Sequence, residues 1–195
     1  MATQPLFGDP AAKAPVWSKY AVLLGSLTAT VPTTNAAFTL NNTVGPVVDE
    51  WDPVGALASD TPFDDGTETV ASQDHSAAGF GVYGTTYSDM KETRSFTAKE
   101  STLTTLGLVY DVSDLTETGG NISGVLKQRD TSEKFLIGFH RENSTQCERY
   151  ISKNYATVDN ISRSFGTNES LRTVTVTIYP TADGELYDYY LGDKA

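Results

Sequence analysis

Residues Gly79–Tyr110 read GFGVYGTTYSDMKETRSFTAKESTLTTLGLVY. This stretch decides the fold. Gly79, Gly81 and Gly84 are too closely spaced for a helix. With Phe80 and Tyr83 between and beside them, they fit a strand with a bulge or a close backbone approach. After a turn, Met90–Ala98 alternates. Glu92, Arg94, Phe96 and Ala98 fall on one face, and Lys91, Thr93, Ser95 and Thr97 on the other, as in a strand. A helix should follow. Ser101 or Thr102 suits its N-cap, Glu100 suits the positive end of its dipole, and Leu103, Leu106 and Tyr110 fall on one face. It is the one convincing helix signal in the chain.

The flanking sequence is dominated by strand signals. Leu171–Tyr179 (LRTVTVTIY) alternates cleanly, with Val174, Val176 and Ile178 facing a core. Glu133–Glu142 (EKFLIGFHRE) is apolar on both faces, which predicts a strand covered on two sides. Lys19–Gly25, Ala36–Leu40, Glu148–Asn154 and Ala156–Ser164 are further strand candidates, and Thr116–Gly124 is a turn region. The segment DTPFDDGTET places Asp60, Asp64, Asp65 and Glu68 around Pro62 and Gly66, an exposed loop or hairpin tip. Residues 1–16 carry four prolines or glycines among small residues and read as an arm. Val16 and Trp17 at its end should dock on something. The expected organisation is an arm over 1–16, a β domain over 17–185 and a last strand or arm over 186–195. No repeat or linker divides the chain.

Composition narrows the function. Of 195 residues, 38% are apolar and 20% charged, somewhat below a typical globular domain, and the formal net charge is −11. A protein that grips nucleic-acid phosphates needs a basic stripe, and none is present. A negative surface could instead repel passing nucleic acid, or simply maintain solubility. The single cysteine, Cys147, permits no intrachain disulfide and fits a reducing cytoplasm. The first residues show no basic-then-apolar signal pattern, and no apolar run is long enough to span a membrane.

Catalytic, cofactor and metal signals are missing. One cysteine and two histidines make no zinc motif. GFGVYG has neither the dinucleotide spacing nor a helix directly after it. The acidic loop lacks EF-hand spacing. Asp74–His75–Ser76 superficially suggests a catalytic pair, but no nucleophile motif accompanies it. His140, in an apolar strand, reads as structural. The expectation is a non-enzyme with no cofactor. Tyrosines gather toward the C-terminus, among them Tyr187, Tyr189 and Tyr190, a residue type suited to protein surfaces that pack on other proteins.

The order of these pieces resembles the major tail protein, or tail tube protein, of long non-contractile-tailed phages of actinobacterial hosts. The resemblance rests on KYAVLLGSL (19–27), the W-x-P-V-G-x-L portion of EWDPVGALASD (50–60), AAGFGVYGTTYSDMKETRSFTAKES (77–101) and the closing TVTIYPTADGELYDYYLGD (175–193). It covers most of the chain from about residue 16, with Phe80 and Tyr83 where members often carry a Trp. The resemblance implies a β-sandwich or barrel flanked by one short helix, with extended terminal arms. It implies six copies closing into rings and rings stacking into a tube that delivers the genome. Partners would be further copies of the chain, a tape-measure protein inside the tube, and tail terminator and tail-tip proteins. DNA would pass without specific binding, no membrane would be involved, and the protein would reside in the virion after assembly in the host cytoplasm. Asp60, Asp64, Asp65 and Glu68 would face the lumen or the next ring. Val16, Trp17, Phe80, Tyr83, Tyr187, Tyr189 and Tyr190 are candidate subunit contacts. The competing reading is a monomeric β-sandwich binding module of adhesin or carbohydrate-binding type, motivated by the same tyrosines with Trp17 or Trp51.

Overall fold

A computed structural model describes residues 17–31, 50–60, 62–77, 81–99, 102–130, 132–165 and 170–193. The expected arm over 1–16 with Val16, the candidate strand Ala36–Leu40, and Phe80 lie outside the described residues. In chain order the elements are β1 (Lys19–Gly25), β2 (Trp51–Pro53), β3 (Thr67–Ala77), β4 (Gly81–Ala98), α1 (Leu103–Gly107), β5 (Tyr110–Asp111), β6 (Leu115–Thr118), β7 (Asn121–Gly124), β8 (Lys127–Gln128), β9 (Leu136–Glu142), β10 (Gln146–Ser152), β11 (Ala156–Phe165), β12 (Ser170–Ile178) and β13 (Tyr187–Asp193). The protein is mainly β. A five-stranded antiparallel sheet runs β13-β10-β9-β1-β2, and a four-stranded one runs β11-β12-β4-β3.

The two sheets face each other across one core, as in a β-sandwich. Val22, Ile137 and Phe139 come from the first sheet; Phe96, Val174, Val176 and Ile178 come from the second. All seven are at most 1% exposed. At about 25 cal/mol per Å² of apolar surface removed from water, this layer is the main favourable term in folding. The alternation seen in β12 and in the last third of β4 is the imprint of that core. The first sheet also has a smaller cluster on its outer face, built from Leu23, Trp51, Leu136 and Ile151. β9 is thus covered on both sides, which explains its two apolar faces.

Several expectations need correction. The turn expected between Gly84 and Met90 does not form. β4 is one strand of 18 residues, because Thr85, Thr86 and Tyr87 favour extended backbone and find partners across β3, Thr86 opposite Gln73 and Tyr87 opposite Ser72. The helix is five residues long rather than reaching Tyr110. Thr102 caps it as expected, its hydroxyl accepting from the Thr105 amide at 3.0 Å. Gly107 and the β-prone Val109–Tyr110 end it, and Tyr110 pairs with Gln128 instead. The Thr116–Gly124 segment is a complete hairpin, β6–β7, whose Gly119 and Gly120 both take the positive φ a two-residue turn requires.

Of the two readings of the acidic segment, the exposed loop fits Asp60, Asp64 and Asp65, and the hairpin tip does not form. Phe63 sits in the middle of the segment, and its ring packs edge-on against Tyr20 and Phe139 at centroid distances of 5.5 and 5.4 Å. That burial draws the segment along β4, where Leu57 bridges Ala98 and Phe63 bridges Phe96. Glu68 lies not in this loop but in β3, opposite Glu92.

Candidate functional site: a projecting ribbon and its root

β4 is longer than the sheet that holds it. β12 pairs with β4 only from Glu92 to Ala98. Pro180 then stops β12, since proline has no amide proton to continue a ladder, and a tight turn carries the chain away, with the Gly184 amide donating to Thr181 O at 3.0 Å. From Gly81 to Lys91 the described partner of β4 is β3 alone. The result is a two-stranded ribbon. Its outer part, Ala71–Ala77 against Gly81–Ser88, extends roughly 25 Å at ~3.4 Å per residue. Thr67–Asp74 and Ser76 are exposed and His75 is half-buried. Two bulges, at Thr69/Ala71 and His75/Ser76, twist it. Tyr83 lies on this ribbon. Asp74 and His75 are successive residues of β3, so their side chains leave on opposite faces, a poor geometry for a catalytic pair.

The root of the ribbon is held by a buried charge. Arg94 is 3% exposed. Its Nε donates to Glu92 Oε1 at 2.6 Å. Its Nη1 makes no hydrogen bond. The guanidinium instead lies 4.9, 4.5 and 5.0 Å from the ring centres of Phe139, Tyr150 and Tyr187, where desolvated cation–π contacts are worth about 2 kcal/mol. Tyr187 Oη donates to Glu92 Oε1 at 2.9 Å. Burial and the adjacent carboxylate push the Tyr187 phenol well above its ordinary range. Gly66 passes close by with φ of 88°, and a Cβ there would strike the Glu92 carboxylate. The cluster joins both sheets at the point where β12 leaves β4. Beside it a notch of about 660 Å³ lies between Met90, Lys91, Tyr155, Tyr179 and Pro180.

A second cluster on the same face of the first sheet gathers residues singled out in the sequence. Arg141 Nε donates to Glu148, and Arg141 Nη1 to Asp65 Oδ1 at 3.2 Å. The guanidinium lies 5.3 Å from the half-buried Trp17 ring. Tyr150 and Tyr189 donate to Glu148 Oε1 at 2.8 and 3.0 Å. Burial pushes the Glu148 carboxyl up, but the bonds from Arg141, Tyr150 and Tyr189 outweigh it, and the group lies below its ordinary range. For Tyr150, burial and the Glu148 carboxylate act together and push the phenol up to about 12.

Trp17, Asp65 and Tyr189 are therefore brought together. Asp60 and Asp64 are exposed and make local bonds with Ser59 and Gly66, so the four acidic residues do not converge. Among the described residues no group of three or more His, Cys, Asp or Glu side chains is placed to hold a metal. Tyr187 is committed to packing within the chain, whereas Tyr189 and Leu191 are about half exposed and Tyr190 lies at the surface. His140 is buried beside Glu142 at 3.4 Å. Sequence reasoning missed the roles of Arg94, Arg141 and Glu148. For Arg94 a signal existed: it shares a strand face with Phe96 and Ala98.

Two outcomes follow from these clusters. Glu92→Ala should cost about 3 kcal/mol in urea unfolding, because it strands a buried cation. Adding Arg94→Met should recover part of that loss; a double variant as unstable as the single would contradict the pairing. Glu148 has a lowered folded pKa, so the stability it lends is present above the unfolded carboxyl's pKa and is lost as pH falls through the folded one. Wild type should exceed Glu148→Gln in urea midpoint at pH 7, and the gap should close toward pH 3.

Comparison of the chain with models of known protein families and with curated proteins returns no match.

Proposed function

We propose that this is a structural virion protein whose copies close into hexameric rings and stack as a phage tail tube, the conduit for genome delivery. The observation that carries the reading is the ribbon. A two-stranded ribbon is marginal in water by itself. Along Gly81–Lys91, β4 has a described partner on one side only, and an open edge is a template for pairing with another chain. Contact with a second copy covers such a feature. The resemblance in the sequence supplies the ring and the tube, and Tyr83 on the ribbon was already a candidate contact. The charge of −11 fits a wall that DNA passes without adhering. On this reading the further partners are a tape-measure protein in the lumen and terminator and tip proteins at the ends, and the protein acts by assembly, without catalysis.

Negative-stain electron microscopy of concentrated protein tests this, with a ribbon-trimmed variant as control. The variant removes residues 72–87 and joins Ala71 to Ser88 through Asn-Gly. Wild type should form rings or tubes. The trimmed protein should keep its sandwich, seen as an unchanged core in circular dichroism and urea unfolding, and stay monomeric. A wild type that stays monomeric at all concentrations, with or without tail initiator proteins, would favour the binding-module reading.

A further inference from the structure

We infer that the acidic segment is a strap that opens as one unit between Gly55 and Gly66, and that it covers a pairing edge of β4 together with an aromatic slot. This goes beyond the assembly reading above and does not rest on it.

β3 covers one flank of β4 only as far as Thr67, which lies opposite Thr93. Past that point residues 56–60 and 62–65 run along the same flank. Their hold on β4 is a set of backbone bonds: Lys99 N donates to Ala56 O at 2.8 Å, Ala58 N to Thr97 O at 2.8 Å, Thr97 N to Pro62 O at 3.2 Å and Asp64 N to Ser95 O at 3.0 Å. The pairing consists of isolated bridges at Leu57–Ala98 and Phe63–Phe96, not of a ladder.

Both ends of the segment are glycines at positive φ, 98° at Gly55 and 88° at Gly66, a conformation glycine adopts at little cost. The chain outside each glycine is fixed. Before Gly55, Val54 is fully buried, and its carbonyl accepts from Thr105 Oγ1 at 2.6 Å and Thr102 Oγ1 at 3.3 Å. After Gly66, Thr67 begins β3. Torsion changes at the two glycines can therefore move what lies between them and leave both sheets intact.

Between the hinges the grip on the core is light. Ala58 is the one buried side chain among the described residues of the segment, Leu57 and Phe63 are half-buried, and Asp60, Asp64 and Asp65 are exposed. The tie to the first sheet is Asp65 to Arg141 at 3.2 Å, with the Asp65 side chain 81% exposed; exposed pairs of this kind contribute about 1 kcal/mol or less. Arg141 keeps its bond to Glu148 when Asp65 leaves, so opening strands no buried charge. Few buried apolar contacts and surface backbone bonds are the marks of a unit that opens locally, at lower free energy than the core.

Opening uncovers two things. One is the backbone of Ser95, Thr97 and Lys99, whose unpaired groups would be a template for another strand. The other is the slot that Phe63 fills between Tyr20, Phe96 and Phe139. The strap is thus an intramolecular cover over an edge that neither β3 nor β12 protects.

Hydrogen exchange on dilute full-length protein tests this. The amides of Ala58, Asp64, Thr97 and Lys99 donate or flank the bonds that opening breaks. They should exchange at least about a hundredfold faster than those of β9 and β12, at rates that low urea leaves unchanged. Exchange of all four at the rate of β9 and β12 would overturn the strap, because the segment would then open only with the whole fold. Phe63→Ala should speed the four together by about tenfold or more and leave β9 and β12 protected. Leu57→Cys with Ala98→Cys, facing each other across a bridge, supplies a lock, since native Cys147 is buried. Oxidising this variant should slow all four amides, Asp64 included, and reduction should reverse it. Slowing confined to Ala58 and Lys99, beside the lock, would contradict opening as one unit.

Discussion

β4 must satisfy the backbone of 18 residues, and the sandwich provides for it on both sides along only part of that length. The constraint is set by Pro180 and the turn after it, which take β12 away at Glu92. Everything downstream depends on this mismatch. Between Glu92 and Ala98 the strand is a core element, with Phe96 pressed between Val174 and Phe63. Beyond Glu92 it is half of a ribbon whose one partner among the described residues is β3. Two of the sheet edges carry protective devices: β2 is three residues long and ends in Pro53, and β11 has a bulge between Val158 and Asn160. The long flank of β4 carries two bulges, with the extra residues between Ser88 and Lys91 and between Val82 and Gly84, and it is far longer than β2.

The Arg94 cluster gives this mismatch a rigid root. A buried guanidinium is costly, and a single carboxylate rarely repays the cost. Here three aromatic faces and a carboxylate share it, and the carboxylate is itself held by Tyr187 from the opposite sheet. The cluster cross-links both layers where the ribbon departs. The Arg141–Glu148 cluster does a similar task farther along, tying Asp65 of the acidic segment and Tyr189 of β13 to the middle of the first sheet. Both clusters place charge where a simple alternation pattern calls for apolar side chains.

The parts of the fold legible in the sequence are those whose pattern comes from one core. β12 and the last third of β4 alternate because one face is buried, and β9 is apolar on both faces because two clusters cover it. Thr102 was legible as a cap because capping is local. The length of β4 was not legible: whether GTTYSD turns or extends depends on β3, whose sequence TETVASQDHSA has no strong strand pattern. The short helix shows the same limit, since Tyr110 could have completed an apolar helical face, and only its pairing with Gln128 decides otherwise. Phe63 turned an apparent loop tip into a strand-like flank. For the candidate site, the glycine–aromatic patch drew attention to the right stretch, while the charged cluster at its root depends on Tyr187, which lies 93 positions from Arg94 in the chain.

Hydrogen exchange, followed residue by residue at low and high protein concentration, measures the central claim directly. The claim is that the ribbon is completed by another copy of the chain. Amides of β9 and β12 should be protected at both concentrations. Those of Ala71–Ala77 and Gly81–Lys91 should exchange fast in dilute protein and slow by at least tenfold once assemblies form. Ribbon amides protected to the same degree at the lowest concentration would contradict the account, because the ribbon would then be stable within a single chain.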